Sequence, residues 1–320
     1  MKNNYMPEGY LLNTPENQDY ISSISGIERA FVEGKILEST VSFCDSAFRL
    51  HIDLNGILGI MDKEEALFCR EGEHTKDIAI ITRVGKPIAF KVIGFRRENG
   101  IIVAILSRRK AQEECQAEYL SSLRAGDIIR AKVTHLESFG AFVDIGCGLS
   151  SLLAVDSISV SRISHPRDRL SVGDEIFVVV KSRDEQNGRI YVSMKELLGT
   201  WEENAREFEV GQTVLGTVRS IEDYGVFIEL APNLAGLAEI RTDTRDPEIA
   251  KIGAHTAVYI KSILPDRMKI KLVLIDTYRG VAPQNKHRYF IDCENTSHLS
   301  RWVYSPESSS KLVETIFDIE

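Results

Sequence analysis

Hydrophobic and polar positions alternate along much of this 320-residue chain, which is the pattern of strands with one buried face. The first alternating segment covers residues 35–43, and the next covers 47–54. The second segment ends at Asn55-Gly56, a strong signal for a tight turn between antiparallel strands. Further strands of this set are predicted at 57–61, 86–95 and 101–106. Residues 35–106 are therefore predicted to consist mainly of β-strands.

The same order of elements recurs twice. Ser138-Phe-Gly-Ala-Phe142 and Asp223-Tyr-Gly-Val-Phe227 begin 85 residues apart, and each lies between two alternating strands. Such repetition indicates one supersecondary unit used at least twice. Residues 34–112 are interpreted as a third, divergent copy, in which only Phe48 stands near the place of the aromatic pair. Five short strands with a helical segment after the third are typical of the OB-fold barrel.

We therefore predict an all-β dominated fold of three tandem five-stranded OB-fold barrels joined by short helices, with a small C-terminal α/β extension. The predicted domains are an N-terminal arm at 1–30, barrels at 31–112, 123–198 and 208–276, and the extension at 277–320. Four local elements are added: a short helix around 22–32, connector helices at 107–123 and 194–208, and a strand at 288–291. Trp201, in the second connector, is expected to pack that helix on a neighbouring barrel.

The net charge of −8 argues against a protein that holds duplex DNA by bulk charge. It is compatible with single-stranded nucleic acid, which aromatic side chains bind by stacking. The five cysteines are odd in number, widely spaced and without a Cys-x-x-Cys pair, so reduced thiols and a cytoplasmic location are expected. The polar N-terminus does not resemble a signal peptide, and no segment approaches the ~20 apolar residues of a membrane span.

The aromatic pairs have two interpretations. Exposed rings on a strand offer surfaces on which bases stack, whereas buried rings would simply fill the barrel core. Phe139 and Phe142 are three residues apart and would point to opposite faces of an ideal strand. A bulge or bend at Gly140 would bring them to the same face. The spacing alone leaves both interpretations open.

Several phrases between 124 and 198 together resemble the RNA-binding repeat of the bacterial ribosomal protein S1 family. They are Gly126-Asp-Ile-Ile129, Ser138-Phe-Gly-Ala-Phe-Val-Asp-Ile-Gly146, His165-Pro166, Val172-Gly-Asp174 and Asn187-Gly-Arg-Ile-Tyr-Val-Ser193. Residues 209–275 match more loosely and 34–112 weakly. The whole chain is similar to short, three-repeat versions of that protein found in some Gram-positive bacteria.

The resemblance implies an RNA face made by two aromatics of the second strand, a His after the third, and an Asp and an Arg around the last hairpin. The second copy has four of these five, namely Phe139, Phe142, Asp184 and Arg189, with Ala154 at the His position. The third copy has Tyr224, Phe227, Asp266 and Lys269, with Glu239 at the His position. The second copy is therefore expected to bind RNA best and the first least, since the first retains almost none of these residues.

Lys132, Arg130 and Arg219 lie on first strands and are either phosphate contacts or ordinary solvated charges. Catalysis and metal binding have little support: no nucleophile elbow, Walker loop or His-Glu-x-x-His occurs, and His287, Cys293 and His298 fit no standard zinc spacing. We therefore expect no cofactor and no enzyme activity.

The expected function is binding of single-stranded RNA, in particular mRNA, in translation or RNA handling, with the small ribosomal subunit as a possible partner. The alternative is a protein-interaction scaffold on the ribosome, transcription or RNA-decay machinery.

Overall fold

The computed structural model describes residues 5–69, 76–98, 100–184, 188–239, 251–277 and 287–318. Strands dominate and form three closed five-stranded barrels, as the sequence predicts, together with a two-stranded sheet. The helices are α1 (Pro15–Ile21), α2 (Ile24–Glu33), α3 (Asp77–Ile81), α4 (Arg108–Glu114) and α5 (Trp201–Ala205). The strands of the first barrel are β1 (Ile36–Cys44), β2 (Leu50–Leu54), β3 (Ile57–Met61), β4 (Pro87–Glu98) and β5 (Ile101–Ser107).

The second and third barrels repeat this arrangement. The second contains β6 (Ile128–Glu137), β7 (Gly140–Asp144), β8 (Ser150–Ala154), β9 (Glu175–Asp184) and β10 (Arg189–Ser193). The third contains β11 (Thr213–Glu222), β12 (Gly225–Ala231), β13 (Leu234–Glu239), β14 (His255–Leu264) and β15 (Lys269–Thr277). In every barrel the third strand pairs in parallel with the fifth, and the fifth pairs antiparallel with the fourth. This shared topology is the five-stranded OB-fold.

Contacts divide the chain into two compact units. The first unit comprises residues 1–123 with 130–132 and 143–151, and the second comprises the remaining residues. The first unit has its core inside the first barrel, around buried Phe90, Ile52 and Leu106. The second unit has a core inside the third barrel and a smaller cluster against the second barrel.

Within the first unit, the N-terminal segment is fastened by a buried carboxylate. Glu8 forms a bidentate ion pair with the fully buried Arg108, with Nε–Oε1 and Nη2–Oε2 distances of 2.6 and 3.0 Å. The backbone N–H of Glu8 donates to Asp144 Oδ2 at 2.7 Å.

The prediction of an irregular N-terminal arm with one helix is incomplete. Besides α2, the structure has α1, which begins after the N-cap Thr14 with a proline in its first turn.

The two predicted connectors differ from long charged helices. The first is α4 followed by a π turn over Cys115–Tyr119, and it buries Arg108 rather than exposing a solvated surface. In the second, Gly199 has a φ of 84°, which ends the preceding turn, and α5 starts at a capping box formed by Thr200 and Glu203. Trp201 is buried in the third-barrel core, which confirms its expected packing.

The prediction of an α/β extension with a strand at 288–291 is wrong for the part that the structure describes. Over 287–318 it forms turns and a two-stranded sheet of β16 (Arg301–Val303) and β17 (Glu314–Ile316). The Tyr289 hydroxyl accepts the backbone N–H of Phe177 at 2.9 Å, so this segment packs by side chains instead of strand pairing. Trp302 and Tyr304 join the third-barrel core.

Candidate nucleic-acid interface

The second barrel presents its aromatic pair as two rings in edge-to-face contact. The ring centroids of Phe139 and Phe142 are 6.0 Å apart and the ring planes are 89° apart. Phe139 is 53% exposed, and Phe142 is half-buried. A side chain that is half exposed beside a strand of a closed barrel is not a core side chain. The core interpretation therefore fails for Phe139, and Phe142 keeps part of its surface open to a ligand.

Gly140 allows the two rings to meet. Phe139 precedes β7 rather than lying in it, so the strict alternation of a strand does not apply to the pair. A Cβ atom on Gly140 would lie 2.6 Å from the Leu153 carbonyl oxygen and 3.0 Å from the Ala154 Cα. Because these are backbone atoms, any larger residue would push β7 away from β8. The close approach of two strands at Gly140 thus fixes the geometry of the pair.

A third ring joins this surface, and sequence reasoning missed it. His135, on β6, stacks on Phe142 with a centroid distance of 6.4 Å and an interplanar angle of 27°. Its side chain is 61% exposed, and its Nε2 lies 2.7 Å from Glu137 Oε1. Thr134 Oγ1 donates to the Phe142 carbonyl at 3.1 Å, which links the same two strands. Strand alternation gives no signal for it, because His135 lies two places after the buried Val133 and would be expected to face the core.

The polar residues predicted for this barrel lie at its last hairpin. Asp184 ends β9 and Arg189 begins β10, and the two residues are directly opposed in the antiparallel register. Arg189 is exposed and Asp184 is half-buried. Ala154, at the position of the family's His, ends β8 and is half-buried. Its methyl group supplies no hydrogen bond, so Arg189 is the exposed cation of the predicted set on this barrel.

The charges predicted on first strands have internal partners. Lys132 Nζ donates to the Glu8 carbonyl at 3.2 Å, and the Arg130 guanidinium lies 6.0 Å from the centre of the Tyr10 ring. Arg219, with a side chain only 10% exposed, pairs with Glu229 at 2.7 Å. These contacts favour structural roles for Arg130 and Arg219, and they make Lys132 a weaker candidate for a phosphate contact than Arg189.

The third barrel repeats the aromatic geometry. The centroids of Tyr224 and Phe227 are 6.2 Å apart at an interplanar angle of 88°, and Tyr224 is 63% exposed. Glycine again lets the two strands approach closely, because a Cβ on Gly225 would lie 2.7 Å from the Ala238 carbonyl oxygen. Two barrels therefore hold the same pair by the same means.

The charged residues around the Tyr224–Phe227 pair differ from those around the aromatic pair of the second barrel. Glu239 is exposed, lies opposite Gly225 in the strand register, and has Lys271 Nζ 3.8 Å from its Oε1. Lys271, which sequence reasoning did not select, therefore partly offsets an acidic group that would repel phosphate. Asp266 pairs with Arg267 at 3.4 Å, and Lys269 is exposed at the start of β15.

The histidines of the C-terminal segment each contact carboxylates. His298 Nδ1 lies 2.8 Å from Asp127 Oδ1 and its Nε2 lies 3.1 Å from Asp318 Oδ1. His287 faces Asp174 at 3.7 Å, and burial lowers the pKa of its imidazole. Over the parts of the chain that the structure describes, no group of three or more metal-ligating side chains converges.

Comparison with known proteins identifies the second barrel. The family described as "S1 RNA binding domain" matches residues 122–195. This barrel is an S1 RNA-binding domain. The match spans all five of its strands, both aromatic residues of the pair and Arg189. The resemblance drawn from the motifs is thereby confirmed.

Longer stretches of the chain are similar to proteins named small ribosomal subunit protein bS1. The small ribosomal subunit protein bS1 of Leuconostoc lactis is 30% identical over 255 residues, which is 76% of this chain and 57% of that protein. The bS1 of Staphylococcus haemolyticus is 40% identical over 162 residues, or 49% of this chain and 40% of that protein. This chain thus covers only part of the length of either relative.

One similar protein carries an enzyme name. The 4-hydroxy-3-methylbut-2-enyl diphosphate reductase of Clostridium acetobutylicum is 33% identical over 203 residues, but these are 30% of that protein's length. Within the described residues, no helix has the length and apolar character needed to cross a membrane.

Proposed function

We propose that the chain binds single-stranded RNA through the aromatic surfaces of its second and third barrels. The observation that carries this proposal is the half-exposed, edge-to-face pair of Phe139 and Phe142 on an S1 RNA-binding domain. A base stacked on an aromatic side chain contributes roughly 1–3 kcal/mol, and every base has a face to stack. Binding is therefore tolerant of sequence and requires unpaired bases.

The proposed setting is translation in the cytoplasm, with mRNA as ligand and the small ribosomal subunit as partner. The two bS1 relatives support this setting through their names. The proposed modules are residues 31–112, 123–198 and 208–276, and the chain acts by binding and not by catalysis. Because its net charge is −8, each barrel makes few phosphate contacts, and Arg189 is the foremost of them in the second barrel.

Weak sites on one chain reinforce one another. Once one barrel holds an RNA strand, the other barrel meets that strand at a high effective concentration. An RNA long enough to reach both barrels should therefore bind more tightly than one that fills a single barrel, without any new type of contact.

The test is a fluorescence-anisotropy titration of the full chain with a labelled RNA in two forms. The single-stranded form is expected to bind at least about tenfold more tightly than the same strand annealed to its complement, because pairing hides the base faces. A duplex that bound equally well would overturn the stacking mechanism. Sedimentation with purified small ribosomal subunits tests the proposed partner, and failure to co-sediment would remove the ribosome from the proposal without affecting RNA binding.

A further inference from the structure

The first barrel, which lacks the aromatic phrase, nevertheless presents two stacked rings. Phe43 and His51 lie with their centroids 4.2 Å apart and their planes 10° from parallel. Phe43 is 51% exposed, whereas the His51 side chain is 13% exposed. His51 therefore covers one face of the Phe43 ring and leaves the other side of the ring toward solvent. A flat ring with one supported face and one open face is the element on which a nucleobase stacks.

A β-bulge brings these two residues side by side. In the pairing of β1 with β2, Val41 faces Ile52 and Phe43 faces His51, so Ser42 is an extra residue. In the third barrel Val218 faces Ile228 and Ser220 faces Phe227, with the same one-residue shift. His51 thus occupies the place of Phe227, the inner member of the aromatic pair in the third barrel. A bulge is a common way to re-aim a side chain, and here it aims Phe43.

The second barrel holds the same combination with the residues exchanged. There His135 is on the first strand and Phe142 on the second, and the two rings stack. In the first barrel the phenylalanine is on the first strand and the histidine on the second. Phe48, which the sequence suggested as the remnant of the pair, instead packs against the core with the Lys63 ammonium 4.9 Å from its ring centre.

The supporting ring is held in place before any ligand arrives. Asp45 Oδ2 lies 3.0 Å from His51 Nε2 and accepts from Arg49 Nε at 2.8 Å. Its Oδ1 accepts the backbone N–H groups of Ala47 and Arg49 at 2.9 and 3.0 Å. The hydrogen bonds from His51 and from the Arg49 backbone hold the pKa of the Asp45 carboxyl well below its usual range. Asp45 is therefore a carboxylate at neutral pH, and His51 donates to it.

We propose that the Phe43–His51 stack is a further binding site of this chain, on which one base of a single-stranded RNA stacks against the open face of Phe43. The inference rests on the proposed function and extends it to the barrel that sequence reasoning ranked last. Arg49, the cation beside the stack, is already paired with Asp45, so ionic contacts add little here. Stacking on Phe43 should accordingly depend less on salt than binding through Arg189 does.

Three variants of the full chain test the site with a labelled oligouridylate of about 30 nucleotides, enough to reach more than one barrel. Phe43→Ala removes the ring, and Phe43→Trp keeps a flat one. Phe31→Ala is the matched control, because Phe31 is a 42% exposed phenylalanine of the same unit, on α2. Trp201 and Trp302 are buried, so a fluorescence change on RNA addition in the Phe43→Trp variant reports the introduced indole.

The expected result for Phe43→Ala is an affinity lower by between about five-fold and about a hundredfold, by a similar factor at low and at high salt. Phe31→Ala should bind as the wild type does, and Phe43→Trp should retain affinity with its fluorescence quenched. The Phe43 site alone would be overturned if Phe43→Ala bound RNA as tightly as Phe31→Ala and RNA did not quench the fluorescence of Phe43→Trp, while the double variant Phe139→Ala/Phe142→Ala still bound RNA more weakly than the wild type. A wild-type chain that bound no single-stranded RNA would instead overturn the proposed function. If Phe43→Ala weakened only the binding to purified small ribosomal subunits, the stack would be a protein contact and the inference wrong.

Discussion

Replacing both Phe139 and Phe142 by alanine should remove RNA binding by the second barrel and leave the barrel folded. Phe139 is more than half exposed, so its truncation creates no cavity. Phe142 is half-buried and makes the edge-to-face contact with Phe139, which the double change also removes. Together these losses should lower the free energy of unfolding by about 1–3 kcal/mol. A domain with an ordinary stability of about 5–15 kcal/mol remains folded after such a loss.

The loss of binding should be larger than the loss of stability. Each ring offers stacking to one base at roughly 1–3 kcal/mol, so the isolated barrel should lose about 2–6 kcal/mol. In the full chain the other barrels still hold the RNA, and the measured affinity should fall by at least about tenfold, equivalent to about 1.4 kcal/mol.

The assay is anisotropy with a labelled oligouridylate, accompanied by circular dichroism and thermal melting. Phe31→Ala is a suitable control because Phe31 also makes an edge-to-face contact, with Phe95 at 5.7 Å, on a surface outside the proposed site. An unchanged affinity in a folded double variant would show that the stacking surface has been assigned to the wrong residues. If the double variant unfolded while Phe31→Ala remained folded, the two rings would be shown to be core side chains.

Three further predictions address charge, packing and pH. Arg189→Gln should weaken binding to all RNA sequences alike and make the slope of log affinity against log salt shallower by about 0.7, as expected for one lost phosphate contact; an unchanged slope in a salt series would exclude that contact. Tyr304→Phe should lower the free energy of unfolding by about 1–3 kcal/mol, because the buried Tyr304 hydroxyl donates to the Asn233 carbonyl at 2.7 Å; urea denaturation measures this, and a stability equal to wild type would contradict it. Burial raises the pKa of Glu38 to about 8, so the folded protein binds a proton there more readily than the unfolded chain does. Stability from this group is present below about pH 4.5 and is lost as the pH rises to about 8, an effect on the order of 4 kcal/mol at pH 8. Glu38→Gln should therefore flatten the decline in stability between these pH values, and parallel pH profiles for variant and wild type would refute the assignment.

The strands and turns were predictable because their causes are local. Asn55 and Gly56 have φ values of 52° and 92°, both in the left-handed region, so the dipeptide makes the tight hairpin between β2 and β3 that its composition indicates. The repeated phrases identified the aromatic pairs for the same reason, since the rings and the glycine lie within one short segment.

What escaped prediction depends on register and on distant packing. The Phe43–His51 stack forms only because Ser42 is an extra residue in β1, and alternation along a sequence does not reveal a one-residue shift between two strands. His135 was missed because it lies two places after the buried Val133, so that strict strand alternation would place it toward the core. The strand predicted at 288–291 failed because Tyr289 is held by the backbone of Phe177, a partner more than 100 residues away that no local pattern announces.

The contacts of Glu8 determine when its segment can dock during synthesis of the chain. Its backbone N–H is bonded to Asp144, 136 positions later, and its carboxylate to Arg108, 100 positions later. At a synthesis rate of roughly 5–20 residues per second, the segment around Glu8 waits on the order of ten seconds after its own synthesis for its last partner. During that interval the acidic side chain remains solvated, and the segment is accessible to proteases and chaperones. The segment around Glu8 is thus among the last parts of its unit to reach its native place, and a ribosome that stalls before Asp144 leaves it undocked.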